Sequence, residues 1–350
     1  MKVAVLAGGT SSEREVSLIS GKGIYEALKS KGHKAVLLDV YLGIDYDASK
    51  LDGIFEDTRD WGAGVSAIAE KSPDLKEIKK LRKDGGRSFF GPNVLEVCSR
   101  ADVVFMALHG ANGEDGKIQA TFELLGIPYT GTDYLSSGIC MNKLISKEIM
   151  RANGLPTPDG YYMKINDPIK EIGYPAVVKA NNGGSSVGTY IVNSLDEFKK
   201  ALTDAAQYDE FVVVEKFVKG REFTCGVIDG KALPIVEIIP GEGGYDYKNK
   251  YQPGMTKEVC PAELNAAKTK EIQETSERIF TALRLSAYAR LDFMMDEDEN
   301  IYCLEANTLP GMTPSSLLPQ EAAQIGLDYA ELCEKLIEVS LKERNKERLS

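Results

Sequence analysis

The sequence predicts an α/β protein that opens with a doubly wound parallel α/β domain, and three observations predict it. Lys2 to Ala7 is a continuous apolar run, as expected of a strand buried on both faces of a parallel sheet. Gly8-Gly9-Thr10-Ser11-Ser12 turns the chain, and Ser12 with Glu15 forms a capping-box pattern that opens a helix to about Ser30. Val36 to Val40 is the next apolar strand. Such a βαβ start gathers ligands at the carboxyl ends of its strands. The turn lacks G-x-G-x-x-G, so a dinucleotide reading has little support.

At 350 residues the chain has room for two or three domains. With 43% hydrophobic and 27% charged residues it has the composition of an ordinary globular protein. The net charge of −11 argues against general nucleic-acid binding, which wants a basic face. The longest apolar runs are strand-sized, so no membrane span is expected. The first residues reach Gly8-Gly9 and charges too soon for a signal peptide. Cys98, Cys140, Cys225, Cys260, Cys303 and Cys333 are scattered without Cys-x-x-Cys and read as buried thiols of a reducing cytoplasm. Two histidines are too few for a His-rich zinc site.

Taken in order, Glu13 falls in the first helical turn, where the helix dipole favours a carboxylate in any case. Its functional alternative is to face a ligand ammonium at the crevice. Residues 43–90 are polar and irregular and read as elaboration of the first domain. Ala101 to Leu108 is a buried strand, ending in a glycine-rich polar loop, His109 to Gly116, that enters the same crevice. His109 reads equally as a ligand contact or as a satisfied structural histidine. Ile118 to Leu125 is a helix, and Ile127 to Gly131 closes the domain.

Residues 132–154 read as helical, carrying Lys143 and Lys147. Tyr174 to Lys179 is a strand ending in a lysine. Asn181-Asn182-Gly183-Gly184-Ser185-Ser186-Val187-Gly188 follows, then the strand Thr189 to Val192. It is not a Walker loop, yet glycine backbone N–H groups and serine hydroxyls suit phosphates, and Lys179 adds a cation. Phe211 to Val214 and Phe223 to Ile228 are strands flanking Glu215 and Glu222. These two could hydrogen-bond a base and a ribose, or be edge carboxylates. Gly241 to Tyr251 reads as a lid that brings Lys250 to a phosphate and a tyrosine to substrate. Residues 265–284 form an amphipathic helix. A last helix over roughly 320–342 carries Ile325, Tyr329, Leu332, Leu336 and Val339 at core spacing.

The most informative stretch is Arg290 to Ser316. Strands around Leu291-Phe293 and Ile301-Leu304 flank the polar turn Asp296-Glu297-Asp298-Glu299-Asn300. Arg290 and Asp292 share a face, as do Glu305 and Asn307. Pairing about the turn centre sets Asp292 opposite Glu305, roughly 5 Å apart. Two carboxylates and an amide oxygen so placed suit Mg²⁺ held jointly with phosphate oxygens.

These pieces together resemble the D-alanine–D-alanine ligase family of ATP-grasp ligases. The motifs are GGTSSEREVSL (8–18), HGANGEDG (109–116), VKANNGGSSVG (178–188), EKFVKGREFT (215–224), YDYKNKY (245–251), RLDF (290–293) and LEANTLPGMTPSSL (304–317). They span nearly the whole chain. The resemblance implies a three-domain ATP-grasp architecture. Its parts are an N-terminal substrate domain (1–131), a central subdomain (132–215) and a C-terminal subdomain with metal site and lid (216–350). It implies ATP-dependent joining of two D-alanines through an acyl phosphate, for peptidoglycan precursors, in the cytoplasm. It implies two Mg²⁺ ions, with Mn²⁺ as an alternative, and a homodimer formed through the first domain, with no nucleic-acid or membrane partner.

By the same resemblance, Glu13 holds the first D-alanine's ammonium, with Ser185 and Tyr251 as its hydrogen-bonded partners and His109 nearby. Arg290 and the Gly311 N–H stabilise the oxyanion, and Ser316 takes the second substrate's carboxylate. Lys143, Lys179 and Lys250 contact phosphates, as do Ser185 and Ser186. Glu215, Val218 and Glu222 address adenine and ribose. Asp292, Glu305 and Asn307 hold the metal ions. Asn142 departs from the family's usual Asp before the lysine, and Asn181-Asn182-Gly183 from its usual charged residues. The alternative product is D-alanyl-D-lactate or D-alanyl-D-serine. Tyr251 and its loop favour D-alanine, because relatives that take a hydroxy acid tend to replace that tyrosine. A non-catalytic binding protein would be expected to lose Arg290, Asp292, Glu305 or Lys250, and all four are present.

Overall fold

The computed structural model describes residues 1–65, 74–82, 84–184, 188–241 and 256–347. The chain opens with β1 (Lys2–Ala7), α1 (Arg14–Ser30) and β2 (Lys34–Asp39). A 3₁₀ helix (Ala48–Glu56), α2 (Leu75–Lys80) and α3 (Val94–Cys98) lead to β3 (Val103–Met106) and α4 (Lys117–Leu125). The first sheet is parallel in the order β2-β1-β3, as the apolar runs require, and Val3 to Ala7 are buried on both faces.

Next come α5 (Tyr134–Met141), α6 (Lys143–Ala152), β4 (Gly160–Lys164), β5 (Ala176–Ala180), β6 (Thr189–Val192), α7 (Leu195–Ala205) and β7 (Phe211–Lys216). The four strands form an antiparallel sheet, β4-β7-β5-β6, with α7 on its buried face. The last part holds β8 (Gly220–Ile228), β9 (Lys231–Ala232), β10 (Val236–Pro240), β11 (Thr256–Val259), α8 (Ala266–Ala282), β12 (Tyr288–Asp296), β13 (Ile301–Asn307), α9 (Leu317–Gln324) and α10 (Tyr329–Glu347). Its antiparallel sheet runs β11-β10-β8-β12-β13, with β9 beside β8. Helices α5 and α6 pack here through Cys140 and Met150, against Phe223, Ile279 and Leu291. Helix α10 returns to the first unit, where Leu332, Leu336 and Val339 join the core of β1 and β3.

Several expected elements differ. The capping box does not form: α1 starts at Arg14 with Glu13 as its N-cap residue, and no side chain caps it. The helical region 132–154 is two helices meeting at Asn142, whose Oδ1 accepts from Ile145 N at 3.0 Å. The helix over 320–342 is also broken. The N–H groups of Ile325, Gly326 and Leu327 turn back onto Ala322 and Ala323, with Gly326 at φ +83°, a conformation glycine adopts freely. Ile325 is thereby left 53% exposed, outside the expected core stripe. The six cysteines are free thiols, five buried and Cys260 half-buried. Among the described residues no helix is long and apolar enough to cross a membrane.

The β12–β13 hairpin pairs Arg290 with Asn307 and Asp292 with Glu305. Beyond them Met294 pairs Tyr302 and Met295 pairs Ile301. Continuing that register would set Asp292 against Leu304. A β-bulge between Asp292 and Phe293 shifts it by one residue and turns Glu305 onto the Asp292 face. The turn residues Glu297 to Asn300 are exposed, as a solvated acidic turn should be.

Candidate active site

Strand alternation builds the first cleft. On β5, Ala176, Val178 and Ala180 go into the core, so Val177 and Lys179 face outward. Pairing sets Val177 beside Ile191 and Glu215, and Lys179 beside Thr189. Facing them across the cleft are Glu222, Asp292, Met294, Leu304 and Glu305 of the third sheet. Val177, Ile191, Phe217, Met294 and Leu304 supply apolar walls, with Val218 beside them. Lys143 enters from the start of α6, its Nζ 2.6 Å from Gly183 O and 3.8 Å from Glu305 Oε2. Apolar walls with lysines and glycine backbone nearby suit a nucleotide, whose base is flat and whose phosphates are anionic.

Beneath this cleft Glu215 lies between two lysines, with Lys147 Nζ at 2.6 Å and Lys179 Nζ at 3.0 Å. Burial alone would raise its carboxyl, but the two ammoniums hold it at about 2. Burial lowers Lys147. Burial also works against Lys179, but Glu215 outweighs it and raises that ammonium. Lys147 also donates to Thr157 Oγ1 at 2.9 Å, and Thr157 to Cys303 O at 2.9 Å. The triad thus ties the second sheet to the third through a helix.

The two departures from the family pattern meet here. Asn182 bridges to Asn142, and Asn181 O accepts from Lys143 N at 3.1 Å. Asn181 Oδ1 accepts from Leu144 N at 2.9 Å, satisfying a second orphan N–H of the α6 N-terminus. Asn182 is held in turn by Asp209 Oδ2, at 2.9 Å to its N–H and 2.7 Å to its amide. The loop after β5 is therefore anchored to the helix that carries Lys143.

On the hairpin, Asp292 is buried and accepts from Arg290 at 2.9 and 2.8 Å, Thr224 at 2.7 Å and Asn307 Nδ2 at 2.9 Å. The Asn307 amide therefore turns its nitrogen to Asp292, leaving its oxygen directed elsewhere. Among the described residues no three His, Cys, Asp or Glu side chains cluster as a self-sufficient metal site. Two carboxylates and an amide are instead a partial set that phosphate oxygens would complete.

A second cleft begins where the first ends: Gly184 and Glu305 line both. Glu13, His109, Glu114, Arg290, Asn307, Gly311 and Ser316 lie around it. A Cβ on Gly110 would come within 2.9 Å of Glu13 Oε2, and one on Gly184 within 3.2 Å. The Glu13 carboxylate therefore lies against both glycine loops. His109 is bonded at both nitrogens, Nδ1 to Leu309 O at 3.0 Å and Nε2 to Ser20 Oγ at 3.2 Å. Burial lowers its pKa, so the ring is neutral and acts as a strut between the first sheet and the 309–316 loop. Ser316 Oγ accepts from Thr313 N at 3.0 Å and lies 2.7 Å from Thr313 Oγ1. A Cβ on Gly311 would meet it at 3.0 Å.

The structure thus brings Glu13, His109, Arg290, Gly311 and Ser316 to one cleft. Lys143, Lys179, Glu215, Val218, Glu222 and Asp292 gather at the other, with Glu305 common to both and Asn307 on the side of Glu13. Ser185, Ser186, Lys250 and Tyr251 lie outside the described residues. Three groups were given no role by the sequence. Lys147 was placed on a helix, but a mid-helix lysine normally faces solvent. Glu114 sits inside the quoted loop motif, and its oxygens accept from Gly110 N at 2.8 Å and Leu309 N at 3.1 Å. Burial, then the nearby Glu13 charge, pushes its pKa up to about 7. Glu258, on a strand the sequence did not reveal, also lines the second cleft.

A family model described as the D-ala D-ala ligase N-terminus matches residues 2–132, and one described as the C-terminus matches 159–338. A D-alanine–D-alanine ligase of Pediococcus pentosaceus is 44% identical over 345 residues, covering 96% of this chain and 97% of that one. One from Lacticaseibacillus casei is 40% identical, covering 98% and 96%. The crystal structure of the Bacillus anthracis D-alanine–D-alanine ligase complexed with ATP superposes with a TM-score of 0.76 at 34% identity, covering 99% of each chain.

Proposed function

This chain belongs to the D-alanine–D-alanine ligase family, and from that premise we propose how its two clefts divide the reaction. The protein is an ATP-grasp ligase that joins two D-alanines at the expense of ATP. The observation that supports this division is the shared wall of the clefts. Gly184 and Glu305 belong to both, so a γ-phosphate at the end of the first meets a carboxylate held in the second. Phosphoryl transfer depends on such placement more than on any covalent help from the protein.

In this reading the base lies between Val177, Ile191, Met294 and Leu304, with Glu215, Val218 and Glu222 addressing adenine and ribose. Lys143 and Lys179 hold phosphates, joined by Ser185, Ser186 and Lys250. Glu13 receives the ammonium of the first D-alanine, supported by Ser185, Tyr251 and the neutral His109 strut. The carboxylate of that D-alanine attacks the γ-phosphate, ADP leaves, and an acyl phosphate results. The second D-alanine, whose carboxylate rests on Ser316, attacks that carbonyl as the free amine after its ammonium gives up a proton to solvent, and inorganic phosphate leaves as the amide forms. Arg290 and the Gly311 N–H stabilise the oxyanion, where electrostatic help is worth most.

Asp292, Glu305 and the Asn307 oxygen would hold Mg²⁺, or Mn²⁺ in its place. Bound there, the ions would neutralise charge on the phosphates. Arg290 fixes Asp292 in place with two hydrogen bonds. The division at 131 and 215, cytoplasmic action and dimerisation through the first domain are parts of the same proposal.

Phosphate release with ATP, Mg²⁺ and D-alanine, D-lactate or D-serine, with mass analysis of the product, tests it. D-alanyl-D-alanine is expected as the sole product. A D-lactate or D-serine product would overturn the substrate assignment, and no turnover would overturn the reading of the second cleft.

A further inference from the structure

Among the described residues four carboxylates line the second cleft, Glu13, Glu114, Glu258 and Glu305. In the reading above three of them are occupied. Glu13 faces the first ammonium, Glu305 faces the metal, and Glu114 accepts from two backbone N–H groups that tie loops together. Glu258 has no part in that scheme. It stands half-buried on β11. The Gln320 amide donates both to Glu258 Oε2 and, at 2.9 Å, to Ser315 O. Gln320 thereby fixes this carboxylate to the turn that presents Ser316. Burial, opposed by Gln320 and by the Arg290 charge, raises the Glu258 carboxyl pKa above its ordinary value.

The second amino acid enters as a zwitterion. If its carboxylate rests on Ser316, its ammonium lies two bonds further on and requires an acceptor, because an unpaired cation in a partly dry cleft is costly. We propose that Glu258 receives the ammonium of the second amino acid and thereby selects an amine over a hydroxy acid. This rests on the division of the clefts given above. D-Lactate has the same carbon skeleton but no cation, so it gains nothing from a carboxylate at this point. A charge-assisted hydrogen bond of this kind is worth about 10- to 100-fold in affinity.

The test uses the full chain with ATP, Mg²⁺ and D-alanine, with D-lactate competing as second substrate. Glu258→Gln keeps the side-chain shape and removes the charge. Its KM for the second D-alanine should rise about 10-fold or more, with the first-site KM unchanged. The D-lactate to D-alanine product ratio should rise by a similar factor. Glu258→Asp, which keeps the charge, should recover most of the preference for the amine. An unchanged second-site KM and product ratio in Glu258→Gln would overturn the proposal. So would an equal loss at both sites that Glu258→Asp does not rescue. Failure of the unmodified chain to ligate D-alanine would instead overturn the division of the clefts, and is seen before any variant is made.

Discussion

Replacing Glu215 with glutamine removes the one negative charge between two lysines. The Glu215 side chain is 1% exposed, and Lys147 and Lys179 are 1% and 12% exposed, so water cannot take over. Breaking a buried ion pair by removing one partner costs about 3–5 kcal/mol. The carboxyl lies at about 2 against an ordinary 4.5, which corresponds to about 3 kcal/mol in favour of its charged form. The two magnitudes agree, and Glu215→Gln should destabilise the region by about 3 kcal/mol. A chain with several cores need not unfold in one step, so the loss is best read locally. Native-state hydrogen exchange at β5 and β7 amides should quicken by about 100-fold. Lys147→Met leaves Lys179 on the carboxylate and should cost less. The sign of the pH dependence follows from the depressed pKa. The Glu215 contribution is complete above about pH 4.5 and fades as pH falls towards about 2, and the variant should lack that acid limb. Exchange within about threefold of the parent would refute a charged triad.

Other substitutions probe the remaining parts. Glu305→Gln should abolish turnover by removing a carboxylate that belongs to both clefts, while ATP-independent folding by circular dichroism stays intact; normal kcat would sink its metal role. Arg290→Ala should lower kcat by about 10²-fold or more, as for an oxyanion donor, whereas a change in KM alone would assign it to ground-state binding. Asn181→Ala should raise KM for ATP and cost about 1 kcal/mol, since it takes the acceptor from the Leu144 N–H and releases the loop beside Lys143. An unchanged KM for ATP would show that the loop holds its place without that anchor.

The sequence was most legible where periodicity and chemistry coincide. The parallel strand at Lys2–Ala7 followed from an unbroken apolar run, and the Arg290–Asn307 hairpin from alternation around a polar turn. The Asp292–Glu305 pair was expected, but the bulge that produces it was not legible: the register of Met294 with Tyr302, carried on without it, would have brought Leu304 there instead. Strands β4, β10 and β11 were missed, as was the two-residue β9. β4 and β11 are edge strands of mixed burial, and β10 ends exposed at Ile239 and Pro240, so none carries a continuous apolar run. The break at Gly326 shows how one left-handed residue ends a stripe that spacing alone would continue. Long-range partners were the least accessible. Nothing local to Lys147 announces that it meets Glu215, and nothing local to Asn142 announces Asn182.

The meeting of the two clefts at Gly184 and Glu305 is tested most directly with D-alanine labelled with ¹⁸O in its carboxylate. If that carboxylate attacks the γ-phosphate, the bridging oxygen leaves with phosphate when the second amine attacks. Mass analysis should then find one ¹⁸O in each phosphate released alongside D-alanyl-D-alanine. Unlabelled phosphate accompanying dipeptide formation would show that no acyl phosphate forms, and that the carboxylate does not reach the phosphate across the shared wall.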